Sequence, residues 1–169
     1  MQIDGVEVIV EGAWPPIVMV HGWPDTHRLW DQQVEALKDR YRCVRFTLPG
    51  FDLSQKGRAY SLDEVVETIR RIVVEASPDA KVILLLHDWG CFFGYQFAMR
   101  HPQLVDRVIG VDIGDAGSGR HRGELGRKGM LMVLAYQMWL ALAWRIGGRA
   151  GTAMARRMAR AMRCPTDAQ

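Results

Sequence analysis

Few folds accommodate the stretch Lys81-Val82-Ile83-Leu84-Leu85-Leu86-His87-Asp88-Trp89-Gly90-Cys91-Phe92-Phe93-Gly94. Its apolar half, rich in Val, Ile and Leu, reads as a strand buried on both faces, which demands a sheet covered on each side. The run stops at His87, Asp88, Trp89 and Gly90, and an amphipathic helix carrying Tyr95, Phe97, Ala98 and Met99 begins. A carboxylate at such a strand-to-helix turn lies near backbone N–H groups and a helix dipole that favour an anion. Position alone leaves two readings of Asp88: a helix N-cap, or a reactive group presented at the end of a buried strand.

The flanking segments repeat the alternation of strand and helix. Residues 6–10 predict a short strand punctuated by Gly12. Residues 17–20, after Pro15-Pro16, predict a second strand buried on both faces. That strand runs into His21-Gly22-Trp23-Pro24, where glycine permits a sharp turn close to a ligand and proline fixes the exit. Asp25 or Thr26 caps a helix with Leu29, Trp30, Val34 and Leu37 on one face. Residues 41–47 alternate as a strand around Cys43, Val44 and Phe46, and turn chemistry follows through Ser54. Ser61-Leu62-Asp63-Glu64 is a capping box for a helix carrying Val65, Val66, Ile69, Ile72 and Val73. Pro102 closes the helix after Asp88, and residues 105–113 form a further strand ending in Val111-Asp112-Ile113-Gly114-Asp115.

This alternation predicts an α/β fold with a doubly wound, mostly parallel sheet and right-handed crossovers. Ligands on such sheets sit beyond the carboxyl ends of the strands. Residues 21–24, 49–52, 88–90 and 112–115 all fall at such ends, so their polar groups are expected to converge on one rim.

Past Gly114 the texture changes. A Gly-, Arg- and His-rich loop over 116–129 leads into two helices rich in Met, Ala and Trp, divided near Gly147-Gly148. Residues 130–144 are apolar except for Gln137, with Lys128 and Arg145 at the ends. The roughly sixteen residues between those charges fall short of the ~20 a spanning helix needs, so a buried amphipathic helix is expected, with membrane-surface association as the lesser reading. Arg145, Arg149, Arg156, Arg157, Arg160 and Arg163 make this end basic, which reads as a solvated face or, alternatively, a site for phosphate or an acidic partner. A net charge of +3, with no basic stripe interleaved with aromatics, argues against nucleic acid. Cys43, Cys91 and Cys164 are far apart and lack CxxC spacing. They fit reduced thiols in a cytoplasmic setting better than a disulfide frame or a metal site, and Met1-Gln2-Ile3-Asp4, neither basic nor apolar, does not read as a secretory signal.

His21-Gly22-Trp23-Pro24 after one strand and His87-Asp88-Trp89-Gly90 after a later one, in that order, resemble the α/β-hydrolase fold family. Within it they are similar to the epoxide hydrolases and haloalkane dehalogenases, whose elbow nucleophile is Asp. The likeness covers roughly residues 6–115 and continues more weakly over 117–169. It implies a partial hydrolase core with a nucleophile elbow over 1–116 and the start of a helical cap over 117–169. It also implies a small apolar substrate, no cofactor, and a strained elbow in a dry pocket. There Asp88 attacks carbon and forms an alkyl ester, and the backbone N–H groups of Trp23 and Trp89 stabilise the oxyanion formed on hydrolysis. His21, Gly22, Pro24, His87 and Gly90 support these turns. Leu86 stands where the family often has a small residue, which puts the strain of the elbow in question.

Trp23 occupies a position where one dehalogenase branch has Asn, so the resemblance favours epoxide over alkyl halide. Tyr136 matches the first of the family's ring-opening tyrosines or is a packed amphipathic residue; no second tyrosine follows it. Asp112 is either the catalytic acid or a cap for its loop. The family's general base is a histidine after the last strand, and His21, His27, His87, His101 and His121 do not match it. His121 is the remaining substitute. The resemblance therefore implies a chain cut within the cap, with a sheet edge exposed and available for self-association. The alternative is a non-catalytic remnant or interaction module of the same fold.

Overall fold

The computed structural model describes residues 1–52, 58–113 and 126–162. Ser54, Gly114, Asp115, the 116/117 division, His121, Arg163 and Cys164 lie outside the described residues. The chain divides into two compact units, Met1–Gly114 and Asp115–Ala168.

The first unit is a six-stranded sheet with helices on both faces. Its strands are β1 (Gln2–Ile3), β2 (Val6–Glu11), β3 (Pro16–Val20), β4 (Arg42–Phe46), β5 (Val82–His87) and β6 (Val105–Val111), in the spatial order β1-β2-β4-β3-β5-β6. β4, β3, β5 and β6 run parallel, and β2 and β1 add an antiparallel margin. The helices are α1 (Asp31–Leu37), α2 (Leu62–Ala76) and α3 (Trp89–Arg100).

Period-two alternation within the apolar strands sets the layering. Val18 and Val20 of β3 and Val82, Leu84 and Leu86 of β5 join the core that includes α2 and α3 residues such as Ile69, Ile72 and Phe97. Ile17 and Met19 of β3 and Leu85 of β5 join the opposite core, with Trp30 and Val34. Each strand thus feeds both layers. Burying one such side chain contributes about 1.5–3 kcal/mol, which makes β3 and β5 the firmest platform for whatever follows them. β4 behaves alike, because Val44 and Phe46 face one core and Cys43 the other.

Sequence signals set most of the boundaries. Ser61 accepts from Glu64 N–H while the Glu64 carboxylate accepts from Ser61 N–H, closing the capping box that starts α2. The Thr26 side chain, not Asp25, caps the turn before α1. That segment opens as a 3-10 turn, His27–Trp30, before becoming α-helical. β1 was not expected; Asp4 and Gly5 take φ values of 51° and 79°, the left-handed pair that turns β1 tightly into β2. β6 is shorter than the expected 105–113 and forms the sheet margin, with Val108, Ile109 and Val111 exposed.

The second unit is a helical hairpin of α4 (Gly126–Ile146) and α5 (Gly148–Ala161), joined at Gly147 (φ 64°). One expectation for α4 is corrected. The helix spans 21 residues, because Arg127, Lys128 and Arg145 are good helix formers that extend it instead of ending it. Among the described helices it is long and apolar enough, at a mean hydropathy of 1.3, to cross a membrane. Its packing against α5 buries Ala143. Its seam follows a seven-residue repeat through Gly129, Val133, Tyr136, Leu140 and Ala143, which with the adjacent Trp139 are the positions partly or fully covered. Gly151 of α5 lies so close to the Ala143 carbonyl that a side chain would not fit, and Trp139 donates to the Met154 carbonyl at 3.0 Å.

Candidate active site

The carboxyl ends of β3, β4, β5 and β6 carry the residues expected at the rim. Asp88 follows β5 directly and takes φ 50° and ψ −122°. A non-glycine residue in that region is strained, and such strain persists only where the surroundings hold it. The holding contacts are visible on both sides. Leu86 is fully buried, and its side chain fills the space in which a Gly94 Cβ would stand, 2.5 Å from Leu86 Cδ2. A bulky residue before the turn is therefore compatible with the strained elbow. Gly90 lets α3 start against β3, where a Cβ would come within 2.6 Å of the His21 carbonyl oxygen.

Asp88 occupies the N-cap position of α3 but makes no side-chain capping bond. Its Oδ2 instead accepts from Trp23 N–H at 2.7 Å, across 65 residues of sequence. Gly22 makes this approach feasible, since a Cβ there would collide with the carboxylate and lie 2.5 Å from Trp89 N. Gly22, Trp23, Asp88 and Trp89 are thus brought together, one oxygen of the carboxylate already held by a backbone donor.

His21 is fully buried behind this turn. Its Nδ1 donates to the Gly22 carbonyl at 2.8 Å, and its Nε2 accepts from Leu48 N–H at 2.9 Å. The Leu48 bond requires an unprotonated Nε2, and burial pushes the imidazole down to about 4, against the opposing bond to Gly22. Phe51 packs edge-on to the ring at 5.3 Å. The loop after β4 is thereby tied to the loop after β3. Asp25 N–H closes the same turn onto the Gly22 carbonyl at 3.0 Å, around Pro24. His87 Nδ1 is buried with no hydrogen-bond partner among the described residues.

Asp88 is half-buried and Trp89 is 41% exposed. Trp89, Phe92 and Phe93 form an aromatic cluster, with ring separations of 5.5–6.1 Å, in which Phe93 is the most covered. Phe92 and Phe93 follow Trp89 at three and four residues on α3, so one helical turn stacks all three rings.

Asp112 follows β6 as Asp88 follows β5, because the ladder pairs His87 with Val111. Asp112 is exposed and left-handed (φ 80°), and no bond connects it to a histidine among the described residues. Tyr136 lies on the α4 seam in the second unit and is partly covered there.

Two linkages at the rim carry no sequence motif. His27 Nδ1 bonds Thr47 Oγ1 at 2.9 Å, and burial lowers that imidazole too. Tyr95 donates to the Ile113 carbonyl at 2.8 Å, anchoring the end of β6 to α3. Each joins residues 18–20 apart, a separation that neither helical nor strand periodicity encodes.

A parallel sheet carrying a strained carboxylate at a strand-to-helix elbow, opposed by a backbone donor from a neighbouring strand end, defines a hydrolase-type scaffold. Residues 15–148 match the α/β hydrolase fold family, and the chain belongs to that family. It is similar to epoxide hydrolase 1 of Caenorhabditis elegans, 36% identical over 111 residues that span 64% of this chain and 27% of that protein. Haloalkane dehalogenase 2 of Mycobacterium bovis is 33% identical over 112 residues, 65% of this chain and 38% of the relative. An epoxide hydrolase structure from Bacillus megaterium shares the fold over 97% of this chain and 58% of its own, with a TM-score of 0.70 at 22% identity. The chain therefore spans about a quarter to two fifths of the length of these curated relatives.

Proposed function

We propose that this chain carries the nucleophile half of an Asp-dependent hydrolase acting on a small apolar epoxide, with an alkyl halide as the second choice. The observation that carries the reading is the 2.7 Å bond from Trp23 N–H to Asp88 Oδ2 at a strained elbow. That bond leaves Oδ1 for attack. Oδ1 forms a bond to the epoxide carbon, the carbon–oxygen bond of the ring breaks, and the ring oxygen takes a proton from an acidic O–H, for which Tyr136 is the candidate. Oδ2 becomes the ester carbonyl, already facing the donor that would stabilise its negative charge when water attacks. Trp89 N–H supplies the second donor of that pair, and Asp112 is the candidate acid.

Hydrolysis of the ester needs a base. Both ring nitrogens of His21 are engaged, His27 is bonded to Thr47, and His101 stacks on Phe97 at the far end of α3. These three described histidines are committed elsewhere, and the ester on Asp88 is expected to be long-lived. Residues 1–116 act as the partial core and 117–169 as the beginning of a cap. Buried, free Cys43 and Cys91 support a reducing, cytoplasmic setting. Incubation with a terminal epoxide, followed by intact-mass measurement, is expected to show a persistent adduct of one epoxide mass that is absent from Asp88→Asn.

A second reading has its own support. The β6 margin exposes Val108, Ile109 and Val111 with an open ladder edge, which suits an interaction module that pairs with another copy. An absent mass adduct together with a stable dimer on size-exclusion chromatography would favour it.

A further inference from the structure

The turn after β6 is held from α3 by contacts that the reaction at Asp88 does not by itself require. Asp112 takes φ 80°, and the residues on either side of it are both fixed through their carbonyls. The Cys91 thiol donates to the Val111 carbonyl at 3.4 Å, and the Tyr95 hydroxyl donates to the Ile113 carbonyl at 2.8 Å. Cys91 and Tyr95 stand four residues apart on α3, hence on one face of it, and their side chains are hydrogen-bonded to each other. Gly110 makes room for the pair, because a Cβ there would overlap the Tyr95 hydroxyl. Cys91 N–H meanwhile donates to the Asp88 carbonyl at 2.9 Å, so the first two turns of α3 fasten to both strand ends. The ladder pairs His87 with Val111, which places Asp88 and Asp112 at the next position of neighbouring strands, whose backbones lie about 4.8 Å apart.

A non-glycine residue in the left-handed region reverts to extended or right-handed backbone unless its surroundings hold it. The two carbonyl bonds act on Asp112 between them. Side chains alternate across a strand, so a β6 that ran on in extended form would swing this carboxylate away from the direction the turn gives it. A carboxylate that orients an imidazole base acts only from a fixed position. We propose that Tyr95 is a positioning residue for Asp112, its hydroxyl holding, together with the Cys91 thiol, the left-handed turn from which Asp112 serves as the acid. A phenylalanine would fill the same space on α3 but leave the Ile113 carbonyl without its phenolic donor. The catalytic half of this inference rests on the role proposed for Asp112; the conformational half stands on the contacts alone.

Tyr95→Phe tests both halves on the 169-residue chain. The first readout is NMR, through backbone scalar and residual dipolar couplings at Asp112. These are expected to report positive φ in the native chain and to lose it in Tyr95→Phe. The second readout adds free imidazole as the base once the Asp88 ester has been formed with a terminal epoxide. Imidazole takes a proton from water as the water oxygen adds to the ester carbonyl carbon. The ester carbon–oxygen bond then breaks, the diol oxygen takes that proton back, and the Asp88 carboxylate is restored. Loss of the mass adduct is expected to speed up with imidazole in the native chain. That acceleration is expected to fall about tenfold or more in Tyr95→Phe and in Asp112→Asn, the scale of a misplaced catalytic group. Tyr41→Phe, which removes a phenolic hydroxyl at the amino end of β4, is expected to match the native chain in both readouts. Positive φ at Asp112 in Tyr95→Phe would overturn the proposal, as would an imidazole acceleration equal to the native one. A native chain that forms no ester would count against the reaction at Asp88 instead, and the couplings would still decide the clamp.

Discussion

Asp88 owes its position to residues that are small or absent of charge rather than to a counter-ion. Gly22, Gly90 and Gly94 each leave room that another group occupies: the carboxylate, the β3 backbone and the Leu86 side chain. Gly22→Ala places a methyl group against the carboxylate and is expected to lower the rate of alkylation about 100-fold, the scale of losing one well-placed donor. Its cost in stability should stay within about 1–3 kcal/mol, read from the urea midpoint. His21 gives a pH prediction. Its folded value of about 4 lies below the unfolded value of 6.5, so the unfolded chain binds the proton more readily. The contribution of the neutral ring is full above pH 6.5 and is lost as pH falls through 4. The loss amounts to about 3 kcal/mol at most. Urea midpoints measured across that window should fall in the native chain and fall less in His21→Gln. Equal slopes would mean that the buried ring does not govern the window. The motifs around Asp88 were legible because each pairs a strand end with residues that have few other uses there. The Leu48–His21 and Thr47–His27 bonds were not, since nothing in either segment announces its partner.

At the level of elements, strand reading succeeded where both faces are buried and weakened at the sheet margins. β3 and β5 appear as unbroken apolar runs, and their alternation into two cores needs no further signal. β1 is only two residues long, too short for any period, although Asp4-Gly5 announces its turn. α4 was misjudged for a related reason. A helix apolar around most of its circumference does not disclose which stripe is covered, and the covered one passes through Gly129 and Ala143, residues that carry little hydrophobic weight. Two variants probe these elements. Ser61→Ala removes one half of the capping box and should cost α2 about 1 kcal/mol, measured by chemical denaturation. Ile109→Lys places a charge on the exposed face of β6 and should reduce any self-association seen by sedimentation velocity. Unchanged association would exclude that margin as the contact.

The chain consists of a sheet unit that holds one strained aspartate and a separate helical hairpin. In the sheet, the parallel order β4-β3-β5-β6 brings four strand ends to one rim, which is why residues as far apart as Trp23 and Asp88 form one site. The fold class follows from the alternation of strand and helix alone. The reacting partner does not, because nothing in that alternation specifies what the carboxylate meets. The most direct test of the account is where an epoxide attaches. Burial raises the Cys43 and Cys91 thiols and keeps them protonated, so they compete poorly for an electrophile. Peptide mapping by tandem mass spectrometry after epoxide treatment should locate the label on the Asp88 carboxylate, as an ester cleaved by alkaline hydroxylamine. A label confined to a cysteine, lysine or histidine, with the Asp88 peptide unmodified, would contradict the assignment of the nucleophile.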